Sequence, residues 1–143
     1  MLRAVLDTNV IVSGVITNNG IPFEILRKWE NGEFVLVVSK LILEEINKVL
    51  HYPKIKKKRH LTEKDIANVL KRLKKYSVKT PAKVKIKAIH EDPTDNHFLA
   101  AAIEAEAHCI VSGDRHLKAL GSYREIAIIS PRKFVEALND KKK

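Results

Sequence analysis

Residues 34–46 read FVLVVSKLILEEI, an apolar run that changes without a linker into a helical pattern. The run Phe34–Val38 has the length and the β-branched content of a buried strand. Ser39 is a favourable N-cap for the helix that follows, which extends to about Leu50 with one apolar side made of Leu41, Ile42, Ile46, Val49 and Leu50. A fully apolar strand joined to an amphipathic helix is typical of a parallel sheet covered by helices.

The same alternation continues towards the N-terminus. Leu2–Leu6 is a second apolar strand pattern. Asn9–Ile16 suits a strand by its β-branched residues and a helix by its position after a strand. A helix is predicted from Pro22 to Gly32, because proline favours the first helical position and glycine follows helix ends.

The last third of the chain repeats the pattern and settles the fold class. We predict a helix from Asp92-Pro93 to about Glu106, strands at His108–Ser112 and Glu125–Ile129, and a final helix from Ser130-Pro131. Residues 139–143 are expected to form a frayed tail. Apolar strands separated by helices and joined by right-handed crossovers predict an α/β fold, a three-layer α/β/α sandwich with a central parallel sheet.

Length and composition limit the class of protein. The chain has 143 residues and a mass of 16.2 kDa, which predicts a single domain over residues 1–143. No apolar run approaches the ~18 residues of a membrane span, and Asp7 follows the N-terminus too closely for a secretory signal. The single cysteine, Cys109, excludes an intrachain disulfide and a cysteine-based zinc cluster. We therefore expect a soluble, cytoplasmic protein without a membrane partner.

The positive charge is concentrated in one segment, residues 54–87. This basic segment holds 14 of the 27 lysines and arginines and only two of the 17 acids, so it accounts for more than the whole net charge of +10. Such a patch attracts a polyphosphate partner, since each neutralised phosphate releases counterions. A solvated lysine-rich surface is the alternative interpretation.

The basic segment is expected to be mostly helical. Lys54–Arg59 is predicted as a loop or a frayed helix end. Thr62 and Asp65 form an approximate capping box for a helix with an apolar row at Ile66, Val69, Leu70 and Leu73. Lys71 and Lys75 lie on the outer, basic stripe of that helix.

Two carboxylates follow predicted strands. Asp7 comes directly after the first strand, and Asp114 lies two residues beyond the strand at His108–Ser112. In a parallel sheet the carboxyl ends of the strands meet at one edge, where ligands bind. Each acid taken alone equally suits a role as the cap of a turn or helix.

Two further carboxylates lie on helices that start near the same edge. Glu45 falls in the apolar row Leu41–Glu45–Val49, whereas Glu44 faces solvent; a Glu that reaches solvent from the edge of the apolar side is the alternative. Asp95 is expected as the third residue of the helix that starts at Asp92-Pro93, where it suits capping and the helix dipole. It also precedes Leu99 by four residues and so points along the buried side.

Four carboxylates at one edge would repel one another without a cation. Because oxygen ligands suit hard divalent ions and no His/Cys cluster is present, Mg²⁺ or Mn²⁺ is expected rather than zinc. One or two such ions could activate water against a phosphodiester. The acidic centre and the basic segment together indicate nucleic acid chemistry.

The motifs, taken in order, resemble the PIN-domain ribonucleases, most closely the VapC-like toxins of toxin–antitoxin systems. They are Asp7-Thr8-Asn9, Ser39 followed six residues later by Glu45, Asp92-Pro93-Thr94-Asp95-Asn96 running into Leu99-Ala100, and Ser112-Gly113-Asp114. The resemblance spans Leu2 to about Leu138. It departs from the family at Ser112, where threonine is more common, and at Arg115-His116.

The resemblance implies an endonuclease for single-stranded RNA that depends on Mg²⁺ or Mn²⁺. The catalytic and metal-binding quartet falls on Asp7, Glu45, Asp95 and Asp114. Asn9, Ser112 and Asp92 match supporting positions. The candidate RNA contacts are Lys56, Lys57, Lys58, Arg59, Lys71, Lys75 and Arg115. A small antitoxin protein is the implied partner, and a homodimer is left open.

Two alternatives remain at this point. An RNA-binding or RNA-processing PIN module without a toxin role would share the same residues. A haloacid-dehalogenase-like phosphatase also begins with an Asp after the first strand, but it normally needs an acid where this chain has Asn9. His97 and His116 lie beside Asp95 and Asp114 and could touch a phosphate, although isolated histidines near a site are more often incidental.

Overall fold

A six-stranded sheet forms the centre of the computed structural model, which describes residues 1–86 and 95–141. The strands are β1 (Arg3–Leu6), β2 (Val35–Ser39), β3 (Val78–Thr80), β4 (Cys109–Val111), β5 (Ser122–Tyr123) and β6 (Ile126–Ile129). Their order across the sheet is β3-β2-β1-β4-β6-β5. All neighbouring pairs are parallel except β5 with β6.

Helices flank this sheet, as the sequence predicts. In the described ranges they are α1 (Thr8–Ile16), α2 (Ile21–Glu30), α3 (Lys40–Leu50), α4 (Pro53–Lys58), α5 (Glu63–Tyr76), α6 (Asn96–Glu104), α7 (Arg115–Leu120) and α8 (Pro131–Lys141). The central strands are buried on both faces, since the successive residues Ala4 and Val5 of β1, and Leu36 and Val37 of β2, are all 0% exposed and successive side chains point to opposite faces. The α/β class with a central, mainly parallel sheet is confirmed.

The ambiguous segment Asn9–Ile16 is helical in the structure. Asp7 ends the strand and caps α1, because its Oδ1 accepts a hydrogen bond from the Val10 amide at 2.9 Å. Gly14 then allows α1 and α2 to approach closely. A Cβ at this position would lie 2.6 Å from Leu26 Cδ1 and 2.8 Å from the Pro22 carbonyl oxygen. The helical state is therefore fixed by the cap at one end and by packing at the other.

Two capped helices begin where the sequence places them. The Ser39 hydroxyl accepts from the Ile42 amide at 3.2 Å and starts α3. Thr62 and Asp65 make the predicted reciprocal capping box at the start of α5. Both helix starts are stabilised by hydrogen bonds between residues close in the sequence. The sequence alone is therefore enough to locate them.

Several short elements differ from the sequence expectation. β3 and β5, with three and two residues, were not predicted, because neither is long enough to show a period. Pro53 starts the six-residue helix α4 where the sequence predicts a loop or a frayed helix end. α7 follows Asp114 directly and was likewise not predicted.

Two predicted ends of helices fall partly outside the described residues. The helix start at Asp92-Pro93 lies there, and the described part of that helix, α6, begins at Asn96 and ends at Glu104. The tail predicted at residues 139–143 is helical as far as Lys141, where α8 ends. Among the described residues, none of the helices combines the length and the apolar character required to cross a bilayer.

Candidate active site

Buried polar residues gather at the carboxyl edge of the sheet. Asp7 and Thr8 follow β1, Ser39 ends β2, Thr80 ends β3, and Ser112 follows β4. The buried polar and charged residues in the described part of the chain are these five together with Asp95 and Asn96. Because burying a polar side chain is costly, their accumulation at one edge marks it as the candidate site.

Ser112 links the Asp7 carboxylate to the backbone of Asp114. Its side chain is fully buried, and its hydroxyl donates to Asp7 Oδ2. The Ser112 Oγ also accepts a hydrogen bond from the Asp114 amide at 2.9 Å. Ser112 therefore fixes the Asp7 carboxylate relative to the loop that carries Asp114.

Asp114 is held by the helix that follows it. Its Oδ1 accepts from the amides of His116 at 2.9 Å and Leu117 at 3.1 Å, so both capping bonds go to one oxygen. The residue is half-buried at the start of α7. The capping interpretation and the site interpretation are compatible, since neither capping bond uses Oδ2 of this carboxylate.

The carboxylates are close enough to influence one another. Burial raises the pKa of Asp7, and the charges of Asp114 and Glu45 raise this pKa further. The hydrogen bonds from Ser112 and Val10 oppose the increase. Asp7, Glu45 and Asp114 thus share one electrostatic environment although they come from three different elements.

Glu45 has the helical phase that the sequence predicts. It is half-buried on α3, whereas Glu44 is exposed. Its Oε2 atom is buried and has no hydrogen-bond partner among the described residues. The row Leu41–Glu45–Val49 lies at the margin of the apolar side of α3 rather than within it, since Leu41 is 37% exposed and Glu45 and Val49 are half-buried. Leu43, which the sequence did not place on the apolar side, is buried.

Asp95 lies close to Asp114 at the same edge. It is 6% exposed and stands directly before α6, with helical backbone angles. One ligand atom from each of Asp95, Asp114 and His116 lies within 4.8 Å of the other two. The structure therefore brings the fourth carboxylate to the same edge and adds a histidine.

The donor set at this edge fits a divalent cation. The buried polar side-chain atoms without a hydrogen-bond partner in residues 1–86 and 95–141 include Thr8 Oγ1, Glu45 Oε2, Thr80 Oγ1 and His116 Nδ1. All four lie at or beside the carboxyl edge. Buried polar atoms are normally paired, and oxygen donors beside carboxylates are the ligands that a hydrated Mg²⁺ or Mn²⁺ ion takes.

The supporting positions differ in how well the structure places them. Ser112 has the contacts described above. Asn9 is exposed in the first turn of α1. Asp92 lies outside the described residues.

The candidate RNA contacts separate into groups. Lys56 forms an ion pair with Glu63, with 2.8 Å between Nζ and Oε1, so its charge is already engaged. Lys57, Lys58 and Arg115 are exposed. The remaining three, Arg59, Lys71 and Lys75, line grooves.

Arg59 and Lys71 line one groove between the α1–α2 connection and α5. This groove has a volume of about 770 Å³ and is also lined by Gly14, Asn18 and Arg72. Lys75 instead lines a groove with Met1, Val35 and Val78, at the amino ends of the strands. The structure thus places Lys71 and Lys75 in different grooves although they are four residues apart on one helix.

Sequence reasoning did not place Thr80 at the carboxyl edge, and it named His116 only as a histidine that could touch a phosphate. Thr80 ends the unpredicted strand β3, so nothing in the local pattern marked it. His116 had a signal, its position two residues after Asp114, but only the fold shows that its ring lies near Asp95.

Comparisons with known proteins agree with this architecture. A model of the PIN domain matches residues 3–116, which include all four carboxylates. An uncharacterized protein of Methanocaldococcus jannaschii is 32% identical over 144 residues, covering 94% of this chain and 90% of that protein.

Two solved structures share the fold. VapBC2 from Rickettsia felis, crystallised with a DNA fragment from its promoter, matches with a TM-score of 0.58 at 15% identity, covering 90% of this chain and 98% of that chain. FitAcB from Neisseria gonorrhoeae matches with a TM-score of 0.51 at 16% identity and the same coverage of 90% and 98%. At these identities the likeness concerns the fold alone. The family match over most of the chain confirms the resemblance noted in the sequence and replaces the phosphatase alternative: the chain belongs to the PIN-domain family of nucleases.

Proposed function

We propose that this chain is a metal-dependent endonuclease that cleaves single-stranded RNA. The observation that carries the proposal is the convergence of Asp7, Glu45, Asp95 and Asp114 at the carboxyl edge, beside buried polar atoms that lack partners in the described part of the chain. Membership of a nuclease family gives the reaction class.

The four carboxylates would hold one or two Mg²⁺ or Mn²⁺ ions. Such an ion, when bound, supplies a nucleophilic water at neutral pH and stabilises the charge that develops on the leaving oxygen. The chain's own part is to keep the ligands in place: Ser112 restrains Asp7, and the first turn of α7 restrains Asp114 through Oδ1. A fixed ligand set of this kind avoids reorganisation during the reaction.

The groove with Arg59 and Lys71 would guide the RNA strand to this centre. This groove is lined by the C-terminal part of α1, and the nine-residue α1 begins directly after its N-cap, Asp7. At 1.5 Å per residue, this helix separates the groove from the acidic edge by about 13 Å, the span of a few nucleotides of extended strand. The basic side chains of the groove would neutralise phosphates without reading bases.

Metal dependence is the direct test of the proposed reaction. We expect cleavage of a single-stranded RNA in the presence of Mg²⁺ or Mn²⁺, and its loss in excess EDTA, because carboxylates alone supply neither the nucleophile nor the charge stabilisation. Gel analysis of a labelled oligonucleotide measures both. Undiminished cleavage in EDTA would contradict the metal mechanism, and cleavage of duplex RNA in preference to single strands would contradict the substrate assignment.

The salt dependence of binding tests the groove. Replacing Lys71 with Gln should lower the slope of log affinity against log salt by about 0.7, because one phosphate of the strand is then no longer neutralised. Lys75→Gln is the matched control, because Lys75 lies on the same helix in the other groove. Binding would be measured by fluorescence anisotropy in the Glu45→Gln background, so that the RNA stays intact. Equal slopes for wild type and Lys71→Gln would assign Lys71 to the solvated surface.

An antitoxin partner is part of the proposal. It is supported by the shared fold with VapBC2, a structure of the VapBC toxin–antitoxin type. Co-expression with the small protein encoded by an adjacent reading frame should suppress cleavage and yield a stable complex. An active enzyme without such a neighbour would instead favour RNA processing. Sedimentation of the same preparation shows whether the chain is a homodimer.

A further inference from the structure

His116 stands at the acidic centre in a position that the capping of α7 does not explain. Its backbone amide donates to Asp114 Oδ1 at 2.9 Å, which already satisfies the helix start. Its ring is a separate feature: Nδ1 is a buried atom with no hydrogen-bond partner among the described residues. A buried ring nitrogen that lacks a partner is unfavourable, so something else should satisfy it.

Asp114 does not satisfy this ring nitrogen. The distance from His116 Nδ1 to Asp114 Oδ1 is 4.0 Å, beyond the range of a hydrogen bond. The same Asp114 oxygen already accepts two backbone amides. An ion pair at this distance would require a charged ring and would be weak.

A single metal ion could reach all three side chains. One ligand atom from each of Asp95, Asp114 and His116 lies within 4.8 Å of the other two. Ligands at about 2.1 Å on opposite sides of an octahedral ion lie about 4.2 Å apart, and neighbouring ligands lie closer. Small adjustments of the side chains would bring the three atoms into one coordination sphere.

We infer that His116 supplies a nitrogen ligand, through Nδ1, to the metal ion that Asp95 and Asp114 hold. The inference rests on the proposed function and makes it more specific, because a mixed oxygen and nitrogen site does not treat the two candidate ions alike. Mg²⁺ prefers oxygen ligands only, whereas imidazole nitrogen suits Mn²⁺ and the later transition metals. His116 therefore biases this centre towards Mn²⁺.

Pulsed electron paramagnetic resonance of Mn²⁺ bound to the untagged full-length protein tests the ligand directly. We expect nitrogen modulation from imidazole in the wild type, with a changed frequency when the histidines carry ¹⁵N. The modulation should disappear in His116→Asn. His97→Asn is the matched control, because His97 follows Asp95 by two residues as His116 follows Asp114, and it should retain the signal.

Metal titration gives a second, independent measurement. His116→Asn should weaken Mn²⁺ binding by at least about tenfold, the lower end of what changes near metal ligands cost. Its affinity for Mg²⁺ should change much less, so the preference for Mn²⁺ should fall. His97→Asn should bind both ions like the wild type.

The possible results separate the inference from the proposed function. A wild type that binds neither Mn²⁺ nor Mg²⁺ would overturn both. A wild type that binds Mn²⁺ without nitrogen modulation would overturn the role of His116 and leave the carboxylate centre intact. Loss of the modulation in His97→Asn rather than in His116→Asn would also overturn it. Should His116→Asn fold poorly, His116→Gln is the second variant, and the nitrogen modulation should disappear in it as well.

Discussion

Glu45→Gln is expected to lower metal-dependent RNA cleavage by about 100-fold or more, whereas Glu44→Gln should change it by no more than about twofold. Even groups in the outer shell of metal ligands cost about 10- to 100-fold when removed. The Oε2 of Glu45 is buried without a hydrogen-bond partner among the described residues, and the charge of Glu45 acts on Asp7. Glu44 is exposed on the same helix, and changes at such positions are usually small.

The pair is a sharp test because the two substitutions are chemically identical and adjacent. Initial cleavage rates at saturating Mn²⁺, with thermal melting of both variants, separate catalysis from stability. Equal losses of cleavage rate in both variants would mean that the different burial of Glu45 and Glu44 on α3 does not determine their effect on cleavage. An unaffected Glu45→Gln would remove Glu45 from the proposed centre.

Asp7→Asn is expected to abolish the stabilisation by Mn²⁺ while leaving the metal-free protein as stable as the wild type or more stable. The Asn Oδ1 can still accept from the Val10 amide, so the cap survives. Its Nδ2 takes the place of Asp7 Oδ2 and can donate to Ser112 Oγ, so the link to Ser112 is kept with its direction reversed. What disappears is a buried charge whose pKa is raised by burial and by Asp114 and Glu45. A neutral amide carries none of that cost.

Thermal melts with and without Mn²⁺ measure both effects. In the wild type, an ion at 100 times its Kd should stabilise the fold by about 2.7 kcal/mol, or roughly 5–10 °C in Tm for a domain of this size. Asp140→Asn, a change of an exposed carboxylate on α8, should keep the full shift. If metal-free Asp7→Asn melts lower and the wild type ignores Mn²⁺, Asp7 acts only as a helix cap.

The sequence was sufficient to predict most residues of the candidate site because their signals are local. Asp7 and Asp114 follow apolar strands, and parallel strands bring such positions to one edge whatever the details of packing. Glu45 was marked by its place in the row Leu41–Glu45–Val49, which is a property of one helix. Asp95 depended on a helix start whose first residues lie outside the described ranges, yet its relation to Leu99 placed it on the buried side.

The long elements of the fold were predictable for the same reason. Their apolar periods extend over several residues, and Ser39, Thr62 and Asp65 settle helix starts through hydrogen bonds within one turn. The class of fold then follows from alternation and from the handedness of crossovers, neither of which requires knowledge of individual contacts.

Some features of the site could be known only from the tertiary structure. They involve residues far apart in the chain, or helices and strands too short to show a sequence pattern. The strand that carries Thr80 has three residues and exists because it pairs with β2. Lys71 and Lys75 look equivalent on a helical wheel, but the elements packed on either side place them in different grooves. The ring of His116 lies near Asp95 only because α6 and α7 start at the same edge of the sheet.

The sequence by itself thus determined the layers and the acidic edge, since the apolar period, the helix caps and the strand ends are local properties. The partners of each side chain were decided by long-range packing, which no local pattern encodes.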